Sequence, residues 1–137
     1  MMDIIYKVEE TLDPDEFINV LNRSTLGERR PVEDKNRIVQ MCENANLIIT
    51  ARLEGKLIGV ARSITDFVYC TYLSDLAVDR EYQKQGIGKR LIEETKKESL
   101  QATLILLSAP AVTEYYPKIG MKRHEHCFIL KDLEELK

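Results

Sequence analysis

The stretch DLAVDREYQKQGIGKRLI, residues 75–92, decides the fold of this 137-residue chain. It begins at the end of a run rich in β-branched and aromatic residues, Val68 to Val78, which reads as a strand. It ends where Ile87, Leu91, Ile92 and Thr95 recur at helical spacing up to Ser99. Between strand and helix lie Gly86 and Gly88. Glycines at the start of a helix let backbone N–H groups approach an anion, and the unpaired donors and dipole at that end favour negative charge. From Arg80 to Lys97 there are six basic residues (Arg80, Lys84, Lys89, Arg90, Lys96, Lys97) against three acidic ones (Glu81, Glu93, Glu94). The whole chain, by contrast, has a formal charge of −3. An anion site in this protein is therefore local.

Upstream, Leu47 to Leu53 and Lys56 to Thr65 are β-type runs joined by Glu54-Gly55, a two-residue hairpin turn, and Val68 to Val78 continues the meander. Asp13-Pro14-Asp15-Glu16 is a helix start: an N-cap aspartate, a proline in the first turn and acids against the positive dipole end, with Phe17, Ile18 and Leu21 on one face. Gly27 and Pro31 mark a loop, and a second helix is expected from Val32 to Glu43. Met2 to Val8 reads as a first strand. Downstream, Thr103 to Ser108 is continuously apolar and is expected to be a central strand covered on both faces. Ala111 to Ile119 reads as a short helix closed by Gly120, and Phe128 to Leu130 as a last strand. This order predicts an α/β (α+β) architecture, a central sheet with helices packed on it.

Composition narrows the function classes. The length suits one domain, residues 1–137, and 44% apolar with 31% charged residues is ordinary globular usage. The slightly acidic balance gives no global attraction for nucleic acid or an anionic membrane. The longest apolar runs fall far short of the ~20 residues of a membrane-spanning helix. With charged residues among the first ten and no apolar run there, no secretory signal and a cytoplasmic location are expected. Cys42, Cys70 and Cys127 are too dispersed for a disulfide framework or a zinc site and are expected to be mostly packing residues. His124 and His126 lack a third ligand nearby, so no metal is expected.

Two familiar phosphate loops can be tested against residues 79–90. A Walker A loop requires Gly-Lys followed by Ser or Thr, whereas Lys89 is followed by Arg90. A dinucleotide fingerprint requires a third glycine where Leu91 stands, and a βαβ unit rather than a meander. What remains is Gln83-x-x-Gly86-x-Gly88 after Leu76-Ala77-Val78. This segment resembles the coenzyme A loop of the GCN5-related N-acetyltransferase (GNAT) superfamily, whose signature is Q/R-x-x-G-x-G/A. The likeness extends through residues 75–92 and returns at YYPKIGM, residues 115–121, similar to the family's Tyr-x-x-x-Gly-Phe/Met segment.

The resemblance implies a mixed sheet of about six to seven strands flanked by about four helices. It implies acetyl-CoA as cosubstrate and an amine of a small molecule or peptide as acceptor, acetylated by direct attack in a ternary complex. Backbone groups of Leu76, Ala77 and Val78 would meet the pantetheine arm. The N–H groups of Gln83, Lys84, Gln85, Gly86, Ile87 and Gly88 would cradle the pyrophosphate, with Lys89 adding charge. Ser108 stands where many relatives carry an arm-contacting asparagine. Tyr116 matches the tyrosine often assigned as general acid, and a phenol, protonated at neutral pH, suits a leaving thiolate. Asp75 is the first candidate for a general base, with substrate binding or a structural hydrogen bond as alternatives, and Glu33, Asp34 and Asp66 are further candidates. In the family the loop between the first two helices, here Ser24 to Pro31, commonly walls the acceptor site. Arg29 and Arg30 there would suit a carboxylate or phosphate. Homodimers are common among small relatives, and the resemblance admits one here. It also admits a non-catalytic acyl-CoA-binding or sensing module of the same fold.

Overall fold

A computed structural model describes residues 3–137. Chain contacts divide it into two compact units, one up to Leu107 and the other Ser108–Lys137. In the first unit, strand β1 (Ile4–Val8) is followed by helices α1 (Pro14–Ser24) and α2 (Lys35–Asn44). The meander β2 (Leu47–Leu53), β3 (Lys56–Thr65) and β4 (Cys70–Val78) comes next, then helix α3 (Ile87–Glu98) and strand β5 (Thr103–Ile105). The sheet runs β1-β2-β3-β4-β5, antiparallel as far as β4 and parallel between β4 and β5.

Local signals explain most of these elements. The Asp13 side chain accepts a hydrogen bond from the Glu16 N–H at 3.0 Å, capping α1 behind Pro14. Asp34 does the same for α2 through the Arg37 N–H at 3.2 Å. Glu54 (φ 50°) and Gly55 (φ 84°) are both left-handed, as a two-residue hairpin matched to the strand twist requires.

Each sheet face carries one core cluster. Phe17, Val20 and Leu21 of α1, with Ile38 and Cys42 of α2, pack on Ile48, Leu57, Val60 and Ala77. On the other face Ile87 and Leu91 of α3 pack on Ile49, Ala51, Ile58, Ala61 and Leu73. Each such large apolar side chain contributes roughly 1.5–3 kcal/mol by leaving water. Gly59 admits α3 closely: a Cβ there would stand 3.2 Å from Ile87 Cγ2 and Leu91 Cδ1.

Three expectations are corrected. The sheet has five strands among the described residues, fewer than the six to seven anticipated. The run Thr103 to Ser108 yields only the three residues of β5, at the sheet edge rather than its centre. Leu104 and Leu106 pack against the α3-side core while Thr103 and Ile105 are exposed, so the continuous apolar run conceals a one-sided alternation. Phe128 to Leu130 are exposed and form no strand. A three-residue apolar run cannot hold itself extended without a ladder partner, and none is present among the described residues.

In the second unit, a 3-10 turn (Pro110–Val112) precedes the one-turn helix α4 (Tyr115–Lys118) where one helix was expected from Ala111 to Ile119. Pro117 falls in the first turn of α4, where its missing N–H costs nothing. Gly120 (φ 101°) ends the helix: its N–H bonds the Pro117 carbonyl at 3.1 Å, and the Met121 N–H bonds Tyr116 at 3.0 Å.

Candidate active site

β4 and β5 pair only from Cys70↔Thr103 to Tyr72↔Ile105. Beyond Tyr72, β4 continues through Leu76, Ala77 and Val78 with β3 on one side and, among the described residues, no strand on the other. Its backbone is therefore open along that edge, at the end where the glycine loop begins.

The exit from β4 is tied down by Asp79, which is almost wholly buried. Its N–H donates to the Ile58 carbonyl at 2.8 Å, one carboxylate oxygen accepts from the Glu81 N–H at 3.0 Å, and the other from Arg23 Nε at 2.7 Å. Arg23, on α1, also donates to the Leu57 carbonyl at 2.9 Å and so joins helix, hairpin and loop. Sequence spacing gives no sign of this pair, whose members are 56 residues apart. After a 3-10 turn (Arg80–Tyr82), the Gln83 side chain reaches back and donates to the Val78 carbonyl at 2.8 Å. The glutamine of the motif thus fastens the loop to the strand end.

Lys84 (φ 63°) and Gly86 (φ 82°) then turn the chain into α3. The space beyond Gly86 is open, so glycine is needed there for its backbone angle rather than for room. The first helical bond is Arg90 N–H to the Gly86 carbonyl at 3.0 Å. Among the described residues no backbone N–H from Lys84 to Lys89 finds a protein acceptor. A run of free donors at the positive end of a helix is an anion cradle.

The cations nearby divide by role. Arg90 pairs with Glu94 at 3.3 Å and lies 4.6 Å over the Tyr6 ring. Lys97 pairs with Glu93 and Glu94, each at 3.1 Å, and Lys96 bonds the Leu100 and Ala102 carbonyls. Lys84 and Lys89, both exposed, have no ion pair among the described residues and remain beside the free N–H groups. The charge excess of this segment is thus concentrated at the helix start.

Asp75 lies on β4 immediately before Leu76 and is fully buried. One carboxylate oxygen bonds Arg30 Nε and the other Arg62 Nε. Both oxygens are therefore engaged by guanidiniums, an arrangement suited to anchoring. Asp66 accepts from the Val68, Tyr69 and Cys70 N–H groups at 2.9, 2.8 and 3.0 Å. Those bonds, led by Tyr69, hold its carboxyl below the ordinary value, and it shapes the turn before β4. Asp34 is spent as the α2 cap, and Glu33 is exposed.

Cys42 is buried, and burial pushes its thiol up to about 11, which keeps it protonated and inert. Cys70 and Cys127 are exposed, against the expectation that the cysteines mostly pack. Among the described residues no group of three or more His, Cys, Asp or Glu side chains could hold a metal ion. No described helix is long and apolar enough to cross a membrane.

In the second unit, Ser108 follows β5 and its hydroxyl donates to the Ala109 carbonyl at 2.8 Å. Tyr116 lies on α4, partly buried, with the Tyr115 ring edge-on at 5.2 Å. Burial foremost, and Tyr115 after it, raise the Tyr116 phenol above its ordinary 10.0. It holds its proton throughout the neutral range.

An open strand edge leading into an unpaired helix start, on a sheet with helices on both faces, can take an extended ligand with an anionic group. A model of the acetyltransferase (GNAT) domain matches residues 22–133, most of the chain, so the chain belongs to the GNAT acetyltransferase family. The family uses acetyl-CoA as acetyl donor. Over 72 residues the chain is 36% identical to GCN5-related N-acetyltransferase 2, chloroplastic, of Arabidopsis thaliana, covering 50% of this chain and 28% of that protein. Over 70 residues it is 36% identical to histone acetyltransferase TAP1 of Glycine max, covering 49% and 30%. The matches thus span less than a third of those curated relatives. A GNAT family acetyltransferase from Streptococcus pneumoniae superposes with a TM-score of 0.76 at 19% identity, over 95% of this chain and all of that one. Aminoglycoside N-acetyltransferase AAC(6')-Iy, solved in complex with CoA, superposes at 0.73 and 13% identity over 97% of each chain. At these identities the structures establish a shared fold.

Proposed function

We propose that this protein is an acetyl-CoA-dependent N-acetyltransferase acting on an amine of a small molecule or peptide, within a single domain. The observation that carries this reading is the run of unpartnered backbone N–H groups from Lys84 to Lys89, set directly after the open end of β4. The family model supports one domain because it runs across the boundary between the two compact units.

These residues fit the cosubstrate. Lys84, Gln85, Gly86, Ile87, Gly88 and Lys89 would hold its pyrophosphate by N–H groups and local charge, and the open edge of Leu76 to Val78 would pair with its amide-bearing arm. Ser108 would serve the arm only as a stand-in for asparagine. When bound, acetyl-CoA supplies an activated acetyl thioester. Gln83 fixes the Val78 carbonyl and so orients the strand end whose amide would bind the reacting carbonyl oxygen. Tyr116, whose phenol stays protonated in the neutral range, would by the family resemblance supply the proton for a leaving thiolate.

The amine must be neutral to attack, which at a lysine-like pKa describes only about one molecule in a thousand at pH 7. With Asp75 engaged by two arginines and Asp66 by three amides, that proton would leave to solvent or to the exposed Glu33, and Asp75 would serve to position rather than to act as base.

A thiol-detecting screen across polyamines, aminoglycosides, amino acids, aminosugars and peptide amino termini tests this. Amine-dependent release of coenzyme A with at least one class is expected. Tight acetyl-CoA binding without release on any class would mark a sensing module instead.

A further inference from the structure

Arg30, Asp75 and Arg62 form a buried cluster with two positive charges and one negative. Their side chains are 21%, 0% and 7% exposed. Arginine keeps its charge at every accessible pH, and among the described residues neither guanidinium has a second carboxylate partner. Asp75 alone balances two guanidiniums, so the cluster keeps a net positive charge, and it reaches solvent through Arg30.

The cluster is built by a bulge. The β3–β4 register passes from Arg62↔Asp75 to Ser63↔Leu73, leaving Ser74 without an opposite residue. The Ser74 carbonyl accepts from Arg30 Nη2 at 2.8 Å and its hydroxyl from Arg62 Nη2 at 3.1 Å. Arg62 Nη1 donates to the Met41 carbonyl of α2 at 3.1 Å, and Arg30 Nη1 to the Arg29 carbonyl at 2.8 Å. Arg62 is thereby enclosed. Arg30, the more exposed of the two, keeps one undonated N–H on each terminal nitrogen.

Position fixes what this charge can meet. Arg30 lies in the segment between α1 and α2, and Arg62 reaches toward α2, so the cluster sits on the α1/α2 side of the sheet. The free N–H groups proposed for the pyrophosphate begin α3, whose apolar side packs on the opposite face. Asp75, which holds both guanidiniums, directly precedes Leu76 to Val78. Arg30, bonded to Ser74 and Asp75, is thus held on the α1/α2 side of β4 within a few residues of the proposed reacting strand end.

We propose that Arg30 binds a carboxylate carried by the amine acceptor, so that the preferred substrates are amino acids or other amines bearing a carboxylate, with Asp75 and Arg62 locking the Arg30 fork in place. This rests on the acetyltransferase reading above. A guanidinium whose Nε and two neighbouring donors are already fixed loses little freedom on binding a planar carboxylate, which favours such a ligand over a neutral one.

The test compares matched pairs: L-tyrosine with tyramine, L-lysine with cadaverine, glycine with methylamine. Each is titrated calorimetrically against the full chain with and without acetyl-CoA, and assayed by thiol release. The carboxylated member of at least one pair is expected to bind and turn over at least about tenfold better, the scale of one charge-assisted fork. Arg30→Gln, shown to be folded by a cooperative thermal melt, is expected to abolish that preference, and Arg30→Lys to restore only part of it. Equal or poorer binding of the carboxylated member in every pair overturns the proposal, as does a full preference retained in Arg30→Gln. Absence of acetyl-CoA binding would instead sink the acetyltransferase reading, and the titrations without acetyl-CoA would still decide whether Arg30 reads a carboxylate.

Discussion

At the scale of single residues, Tyr116 and Asp75 carry the sharpest expectations. Tyr116→Phe keeps the ring and removes the proton, so turnover should fall at least about tenfold while acetyl-CoA affinity changes little, as read from kcat and a binding titration. Because burial raises the phenol above 10.0, the protonated, donating form persists below that pH and is lost only above it. The kcat profile should therefore show no alkaline fall assignable to Tyr116 below about pH 10. Asp75→Asn leaves two buried guanidiniums facing a neutral amide and should cost about 3–5 kcal/mol in denaturant unfolding. A loss under about 1 kcal/mol would show that the cluster is not the anchor described. Tyr116 and Asp75 were both legible as candidates from the sequence. The two-arginine grip on Asp75 was not, because Arg30 stands 45 residues away and only the sheet and the loop between helices bring it near.

At the scale of elements, strong local chemistry made α1, the β2–β3 hairpin and α3 readable. Asp13-Pro14 is a cap with its own hydrogen bond, Glu54-Gly55 fits one turn geometry, and Gly86 marks where α3 starts. Thr103 to Ser108 and Phe128 to Leu130 misled because apolar content alone does not supply a ladder partner, and partners are set by the rest of the sheet. A tie invisible in the sequence joins β2 to α1 and to Glu9, the residue after β1. Arg52 of β2 bonds Glu9 through Nε at 2.8 Å and Glu16 through Nη1 at 2.8 Å. Burial pushes Glu9 upward, but bonds from Arg52 and Thr50 outweigh it, and Glu16 is lowered chiefly by Arg52, so both lie below the ordinary 4.5. Groups depressed in the folded state stabilise it above that value and lose their contribution as the pH falls through their folded values. Unfolding midpoints followed downward from pH 5 should fall, and Arg52→Gln should flatten that dependence.

At the scale of the whole molecule, a net charge of −3 coexists with a cationic helix start because Glu93 and Glu94 neutralise the middle of α3 and leave Lys84 and Lys89 free at its beginning. The family and the general architecture follow from residues 75–92 and 115–121. The strand count and the short pairing of β4 with β5 required the fold itself, because how far a strand runs depends on its ladder partner as well as on its own residues. The central claim is that residues 84–89 hold acetyl-CoA. Calorimetric titration of the chain with acetyl-CoA tests it most directly. One saturable site per chain is predicted, weakened by salt and by at least about tenfold in Gly86→Val, whose side chain resists the left-handed backbone that Gly86 adopts. No saturable binding, or equal affinity in a folded Gly86→Val, would contradict it.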